Sequence, residues 1–225
     1  MPGLLLSRDP VRRWLDFGLD LLFPPRCAGC GRVDSIWCAI CAQEVERLPF
    51  PAVRSLSTSA SLQAVAVTGL HEGRLQQGLW ALKYENIRQI AVPLGQRLAA
   101  RLADTSWTID TLVPVPLHID RQQQRGYNQA ALLASAVSEV TGIPMLSQAL
   151  ERQIDTRSQV GLNAEERQAN VQDAFRARPD LIAHQTILLI DDVYTTGATL
   201  EACAQAVLEA GASAVYGLTV TAARG

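Results

Sequence analysis

Thr186-Ile-Leu-Leu-Ile-Asp-Asp-Val-Tyr-Thr-Thr-Gly-Ala-Thr-Leu200 is the stretch whose reading decides the fold of this chain. Its unbroken apolar run, Ile187 to Ile190, predicts a strand buried on both faces. The strand is expected to end in two adjacent carboxylates, Asp191 and Asp192. A hydroxyl- and glycine-rich turn follows, Thr195-Thr196-Gly197-Ala198-Thr199. Apolar residues then recur at helical spacing through Leu200, Cys203, Ala204, Val207 and Leu208. Strand, acidic tip, small-residue loop and helix, in that order, build a phosphate cradle. The loop N–H groups and the helix N-terminus can converge on one anion. Small residues let the backbone approach, and threonine hydroxyls add donors. The two aspartates would repel a phosphate, but they suit neutral hydroxyls or a bound cation beside it. A ligand with a phosphate at one end and a diol nearby meets both demands: a ribose 5-phosphate.

Outward from this stretch the same order recurs. Asp110 to Leu117 reads as the first strand of the main sheet, and its two prolines imply an unusual end rather than a long central ladder. A basic loop follows with His118, Arg121 and Arg125-Gly-Tyr-Asn-Gln129, then a helix through Ala130, Leu133, Ala136, Val137 and Val140, closed by Gly142. Arg121 and Arg125, with Gly126 freeing the backbone, suit a pyrophosphate; two solvated surface arginines are the alternative. Asn128 and Gln129 read as helix caps. Upstream, Ala64 to Leu70 reads as a strand, and a helix runs from Gly73 to Lys83-Tyr84. Lys83 reads as a solvated helix-end lysine, with an anion contact as its alternative. A further helical pattern through Ile87, Ile90, Leu94 and Leu98 contains Pro93, so a break or start is expected there. Arg152 to Arg178 is polar and aperiodic, which fits either a lid or surface wrapping. Ala214 to Thr221 is the last strand. Cys203 reads as a core thiol. His71, His118 and His184 show no metal spacing, and of them only His118 is expected near the site. Repeated strand–loop–helix units predict an α/β domain with a largely parallel sheet, flanked by helices. The loops carrying Arg125 and Asp191 should gather outside the carboxyl ends of adjacent strands.

The amino-terminal part differs. Val11 to Phe23 has the spacing of an amphipathic helix, stopped by Pro24-Pro25. Packing on the domain is its first reading and a membrane surface its second. Cys27-Ala-Gly-Cys30 and Cys38-Ala-Ile-Cys41 then make two knuckles that can place four thiolates around one structural Zn2+. Four cysteine ligands leave no open position for catalysis by the metal. Charges around the knuckles are balanced, which argues against strong phosphate binding there. The expected division is residues 1–51 as helix and zinc module and 60–225 as the α/β domain. The cytoplasm is the default location, and in that reducing compartment five cysteines, four of them clustered, suggest metal rather than disulfides. Leu4-Leu5-Leu6 is too short for a signal peptide or membrane span. At 225 residues, 48 % hydrophobic and 19 % charged, the chain can bury a good-sized core. A net charge of −2 gives no overall pull toward nucleic acid.

Ile190 to Thr199 resembles the phosphoribosyl pyrophosphate (PRPP) signature of type I phosphoribosyltransferases. Together with Pro114-Val-Pro-Leu117, Arg121, Arg125-Gly-Tyr-Asn-Gln129 and the leading cysteine quartet, it makes the chain similar to the ComF family, including its GntX-type members. The match extends to Thr156, Gln159, Leu162, Arg167, Asn170-Val171 and Ala174-Phe175. Asn86 stands where that family often has glycine. The resemblance implies a type I phosphoribosyltransferase-like fold with an amino-terminal zinc module. It implies that Val193 and the loop Thr195 to Thr199 hold the 5-phosphate, and that Asp191 and Asp192 hold the ribose hydroxyls. Arg121 and Arg125, with Mg2+, would hold pyrophosphate, and Thr156 and Gln159 would touch ligand when a lid closes. It further implies partners in competence and DNA processing, with single-stranded DNA among the candidates. Three functions remain open at this stage: a PRPP-dependent transferase, a non-catalytic PRPP or nucleotide sensor, and a zinc-dependent DNA-binding protein.

Overall fold

The structure is a computed structural model that describes residues 24–33, 35–55, 61–152 and 174–224. The expectations for the Val11 to Phe23 helix, for the stretch 56–60, and for Thr156 and Gln159 in the polar segment lie outside those residues.

In chain order the strands are β1 (Arg54–Ser55), β2 (Ala64–Val67), β3 (Thr111–Pro114), β4 (Leu150–Arg152), β5 (Phe175–Ala177), β6 (Thr186–Tyr194) and β7 (Ala214–Ala222). The helices are α1 (Ala39–Glu46), α2 (Gly73–Tyr84), α3 (Ala91–Ala103), α4 (Ile119–Arg125), α5 (Gln129–Thr141), α6 (Pro179–Ile182) and α7 (Ala198–Glu209). The main sheet runs β1-β2-β7-β6-β3. Its pairs β2·β7, β7·β6 and β6·β3 are parallel, and only the short β1 is antiparallel. β4 and β5 form a separate antiparallel pair.

β6 lies inside the sheet with helices over both faces, which explains its unbroken apolar run. Ile187 and Leu189 pack with Leu200, Cys203 and Val207 of α7. Leu188 and Ile190 pack on the other face with Leu79, Leu94 and Leu133 from α2, α3 and α5. All four strand residues are fully buried, each contributing roughly 1.5–3 kcal/mol of transfer free energy.

Three expectations need correction. β6 does not stop at the carboxylates. Asp191, Val193 and Tyr194 stay in register with Thr219, Thr221 and Ala222, because β7 is equally long and continues the ladder. Secondly, the Asp110 to Leu117 strand shrinks to β3 and is not the first of the sheet, since β2 precedes it. β3 sits at an edge, where Pro114 costs little, and Val115 still donates to the Ile190 carbonyl at 2.9 Å. Thirdly, the basic loop is largely the helix α4, ended by Gly126 at φ 75°. Pro93 falls in the first turn of α3, after a short 3-10 turn at Arg88–Ile90, where its missing N–H has no intrahelical partner to lose.

Residues 48–51 are sewn to the sheet and to α3 by two buried arginines. Arg97 donates to the Leu48 and Thr68 carbonyls at 2.9 and 2.7 Å, and Arg101 to the Pro51 carbonyl at 2.6 Å. Both guanidinium groups lie over the Phe50 ring, at 4.8 and 5.3 Å.

α3 and α5 cross where Gly95 meets Ala136. A Cβ at position 95 would overlap the Ala136 methyl, and the Ala136 backbone lies 3.3 Å away, so no flexible side chain can yield. Gly95→Ala should therefore destabilise the protein by about 1–3 kcal/mol, read as a lower urea midpoint. Adding Ala136→Gly should recover part of that loss.

Candidate functional site

Asp191 and Asp192 lie on the carboxyl-terminal half of β6, and the next turn carries Thr195, Thr196 and Gly197. Gly197 adopts φ 85°, and a Cβ there would stand 2.7 Å from the Tyr194 hydroxyl, so both conformation and space demand glycine. α7 begins at Ala198 after Gly197, which has no side chain to cap it; Ala198 N–H makes only a long contact with Thr196 Oγ1, at 3.4 Å. Thr195, Thr196, Ala198 and Thr199 are exposed, and Val193 is partly buried.

The carboxylates are asymmetric. Asp192 is 6 % exposed, and its backbone N–H donates to Asp191 Oδ1 at 2.8 Å. Asp192 Oδ1 pairs with Lys83 Nζ at 2.9 Å, with the side chains 8 % and 19 % exposed. Asp192 Oδ2 is buried and accepts no hydrogen bond among the described residues. An unmet buried carboxylate oxygen is costly. Burial, then the Asp192 charge, push Asp191 up to about 8, against the Asp192 N–H and Lys83. Lys83 is therefore not the solvated helix-end lysine its sequence position suggests. α2 ends over the sheet, and that places its last turn against β6.

His71 was also missed. It is half-buried, its Nδ1 lies 2.8 Å from Thr221 Oγ1, and its pKa is lowered by burial and by Lys83, with Asp192 opposing. So His118 does not stand alone near the site. No local motif marks His71, because its neighbours come from the far end of the chain.

β3 and β6 are adjacent, so the turns after them emerge at one end of the sheet, as expected. Asn128 caps α5 through Ala130 N–H and donates to the Val115 carbonyl at 2.9 Å, fixing the basic segment to β3. Arg125 donates to Gln129 and lies 5.6 Å from the Tyr84 ring. Tyr84 adjoins Lys83, so Arg125, Tyr84, Lys83 and Asp192 form one chain of neighbours. Arg121 is exposed on α4, and among the described residues no ion pair joins it to either carboxylate.

The second cluster is the cysteine quartet. One Sγ from each of Cys27, Cys30, Cys38 and Cys41 lies within 4.8 Å of the others. The set could hold one zinc ion. Burial works against the Cys27 thiolate, but N–H donors of Cys38, Gly29 and Cys30 outweigh it and bring it down to about 6. Burial raises Cys41 instead, and a cation would be needed to ionise it. A Cβ at Gly29 would meet Cys41 Sγ at 2.8 Å, so the first knuckle needs glycine. Arg74 of α2 pairs with Glu44 of α1 at 2.7 Å and donates to the Gly29 carbonyl, clamping the module to the domain.

Haemophilus influenzae Competence protein F is 30 % identical over 183 residues, covering 77 % of this chain and 80 % of that protein. The chain belongs to the ComF family. Escherichia coli DNA utilization protein YhgH is 29 % identical over 84 % of this chain and 85 % of its own. Bacillus subtilis Competence protein ComFC is 36 % identical over 46 % of this chain and 40 % of its own. No family model matches the sequence. Solved structures that resemble this ComF protein include Saccharomyces cerevisiae adenine phosphoribosyltransferase, at 12 % identity and TM-score 0.41, covering 83 % of this chain and 90 % of that one. Mycobacterium tuberculosis orotate phosphoribosyltransferase gives 17 % and 0.38, with 82 % and 83 % covered. The fold is a mostly parallel sheet between helices, with the carboxylate strand and its loop at the carboxyl end. Among the described residues no helix is long and apolar enough to cross a membrane.

Native mass spectrometry should find one zinc per chain, reduced by Cys41→Ser; a fully folded, metal-free protein would refute the zinc site. The raised Asp191 pKa gives a second expectation. Its stabilising contribution is fully present below the unfolded value of about 3.9 and is lost as pH rises through about 8. Relative to wild type, Asp191→Asn should therefore gain stability between about pH 4 and pH 8 and level off beyond. A difference curve that is flat across that window contradicts the assignment.

Proposed function

We propose that this protein binds PRPP at the carboxylate-and-loop site and displaces its pyrophosphate with a second substrate. The buried Asp192 oxygen without a donor carries this reading. A ribose hydroxyl would supply that donor, with Asp191 accepting from its neighbour. The 5-phosphate would sit on Val193 and the Thr195 to Thr199 loop, met by exposed N–H and hydroxyl groups at the start of α7. Arg125, and Arg121 after movement of α4, would face the pyrophosphate, which binds with Mg2+ that neutralises part of its charge. Thr156 and Gln159 would close over the ligand. Catalysis would come from positioning and charge stabilisation at the anomeric carbon rather than from a protein nucleophile. Zinc in the cysteine quartet would be structural, residues 1–51 would form the module, and 60–225 the transferase-like domain. The names of the relatives support a role in competence and DNA use; a cytoplasmic location, and DNA-processing proteins or single-stranded DNA as partners, would go with that role.

One observation favours a second reading, a PRPP sensor without turnover. Lys83 already holds Asp192 Oδ1, so this state offers the ribose only part of the pair. Calorimetry with PRPP and Mg2+ should give saturable heat that Asp191→Asn/Asp192→Asn abolishes. No heat from wild type, or equal heat from the folded variant, would sink the site. Pyrophosphate release on a panel of nucleobases and amines then separates transferase from sensor.

A further inference from the structure

Two arginines from distant parts of the chain meet close to the turn that carries Lys83. Arg125 closes α4, and Arg88 opens the 3-10 turn after α2. Each lies against a tyrosine of the other's segment. The Arg125 guanidinium is 5.6 Å from the Tyr84 ring, and the Arg88 guanidinium is 4.5 Å from the Tyr127 ring. The Tyr127 hydroxyl donates to the Leu82 carbonyl in the last turn of α2, where helix carbonyls run out of N–H partners. The two segments are thereby joined next to the lysine that holds Asp192.

The local backbone serves this arrangement. Asn86 adopts φ 56°, and its Oδ1 accepts from Arg88 Nε at 3.1 Å. Gly126 adopts φ 75°, and a Cβ there would lie 3.6 Å from Arg88 Nη2, so Arg88 reaches the turn that directly follows Arg125. Arg88 spends Nε on Asn86, and Arg125 spends one terminal nitrogen on Gln129. Among the described residues no other hydrogen bond engages either guanidinium, and no carboxylate, Glu85 included, pairs with them. Both charges bear on one phenol. Burial pushes Tyr127 up, and Arg125, then Arg88, oppose it. Two uncompensated guanidinium groups repel each other, and their free N–H forks match phosphoryl oxygens. Two forks fixed on separate segments can each take one phosphoryl group, which a single arginine cannot do.

We propose that Arg88 is a binding residue for the pyrophosphoryl group and that, with Arg125, it selects a diphosphate over a single phosphate. The inference rests on the PRPP reading above and adds to it a residue from outside the basic segment. Asn86 and Tyr127 are positioning residues: one holds the Arg88 Nε, and the other carries the ring on which the guanidinium lies. An anion at the two arginines then sits beside Lys83, on the flank of the carboxylates away from the Thr195 to Thr199 loop.

The test is calorimetry on the full chain with zinc, in Mg2+, with inorganic pyrophosphate, orthophosphate and ribose 5-phosphate as probes. Wild type should bind pyrophosphate at least about ten-fold more tightly than orthophosphate. Arg88→Gln should weaken pyrophosphate by about ten-fold or more, the loss expected for a charge-assisted contact, and leave ribose 5-phosphate unchanged. Arg88→Lys keeps the charge without the fork and should recover only part of the difference. Arg88 is exposed, so neither change reaches the core, and the retained ribose 5-phosphate heat is the control for folding. Three results each overturn the proposal: equal pyrophosphate binding in Arg88→Gln and wild type, a parallel loss of ribose 5-phosphate in both variants, or no wild-type preference for pyrophosphate over orthophosphate. No heat from ribose 5-phosphate or PRPP in the wild type would instead strike the ribose site itself, and this inference with it.

Discussion

The contact between Lys83 and Asp192 is the interaction on which the arrangement of this protein turns. It joins the last turn of α2 to the functional end of β6, across a great distance in sequence. A carboxylate that deep in the sheet would be expensive alone, and removing one partner of such a pair typically costs about 3–5 kcal/mol. The pair therefore fixes where α2 ends and sets an ammonium group against Asp192 beside Asp191. The Asp191 charge is suppressed by the same crowding, so the two carboxylates are chemically unlike although adjacent. One is held by a lysine and has a spare acceptor oxygen. The other is close to neutral at physiological pH and can donate as well as accept.

How much of this was legible in the sequence depends on how local the physics is. The strand Ile187 to Ile190, the Gly197 turn and the start of α7 are consecutive, and periodicity with loop chemistry was enough to read them. The cysteine quartet was equally readable, because knuckle spacing is itself the geometry. The Asn128 cap and Gly142 stop were local too. Lys83 and His71 were not, since their partners, Asp192 and Thr221, are supplied by tertiary contact. Nothing in an amphipathic helix ending in Leu82-Lys83-Tyr84 says that its end is covered. The misjudged extent of β6 has the same origin. The identity of Asp191 and Asp192 favours a turn, but a long neighbouring strand keeps them in the ladder.

The amino-terminal module is less separate than its composition suggests. Arg74 ties the first knuckle and α1 to α2, and Trp37 packs against the cysteines while lying near Gly78 of α2. Arg97 and Arg101 reach from α3 to carbonyls of Leu48 and Pro51. α2 is thus held by the cysteine module on one side and carries in its last turn the residue that grips Asp192. Whatever orders the four thiolates also orders the helix that completes the carboxylate site.

Charge balance explains why such a coupling is useful. Under the PRPP reading, a ligand with three phosphoryl groups would bring several negative charges to a site that already contains two aspartates. The loop at the start of α7 offers N–H dipoles, and Arg125 offers one full charge, held toward Tyr84 and Gln129. Lys83 is a further cation beside the carboxylates, but it is committed to Asp192 in this state. Under the PRPP reading, a ribose hydroxyl donating to Asp192 would meet part of the demand that Lys83 now meets. It would free the ammonium to turn toward the incoming phosphates. The lysine would then act after the sugar has arrived rather than before, and the empty site would keep its carboxylates compensated without a ligand. A cation shared between protein and substrate in this way costs less than one stored unpaired, because at no stage is a buried charge left alone.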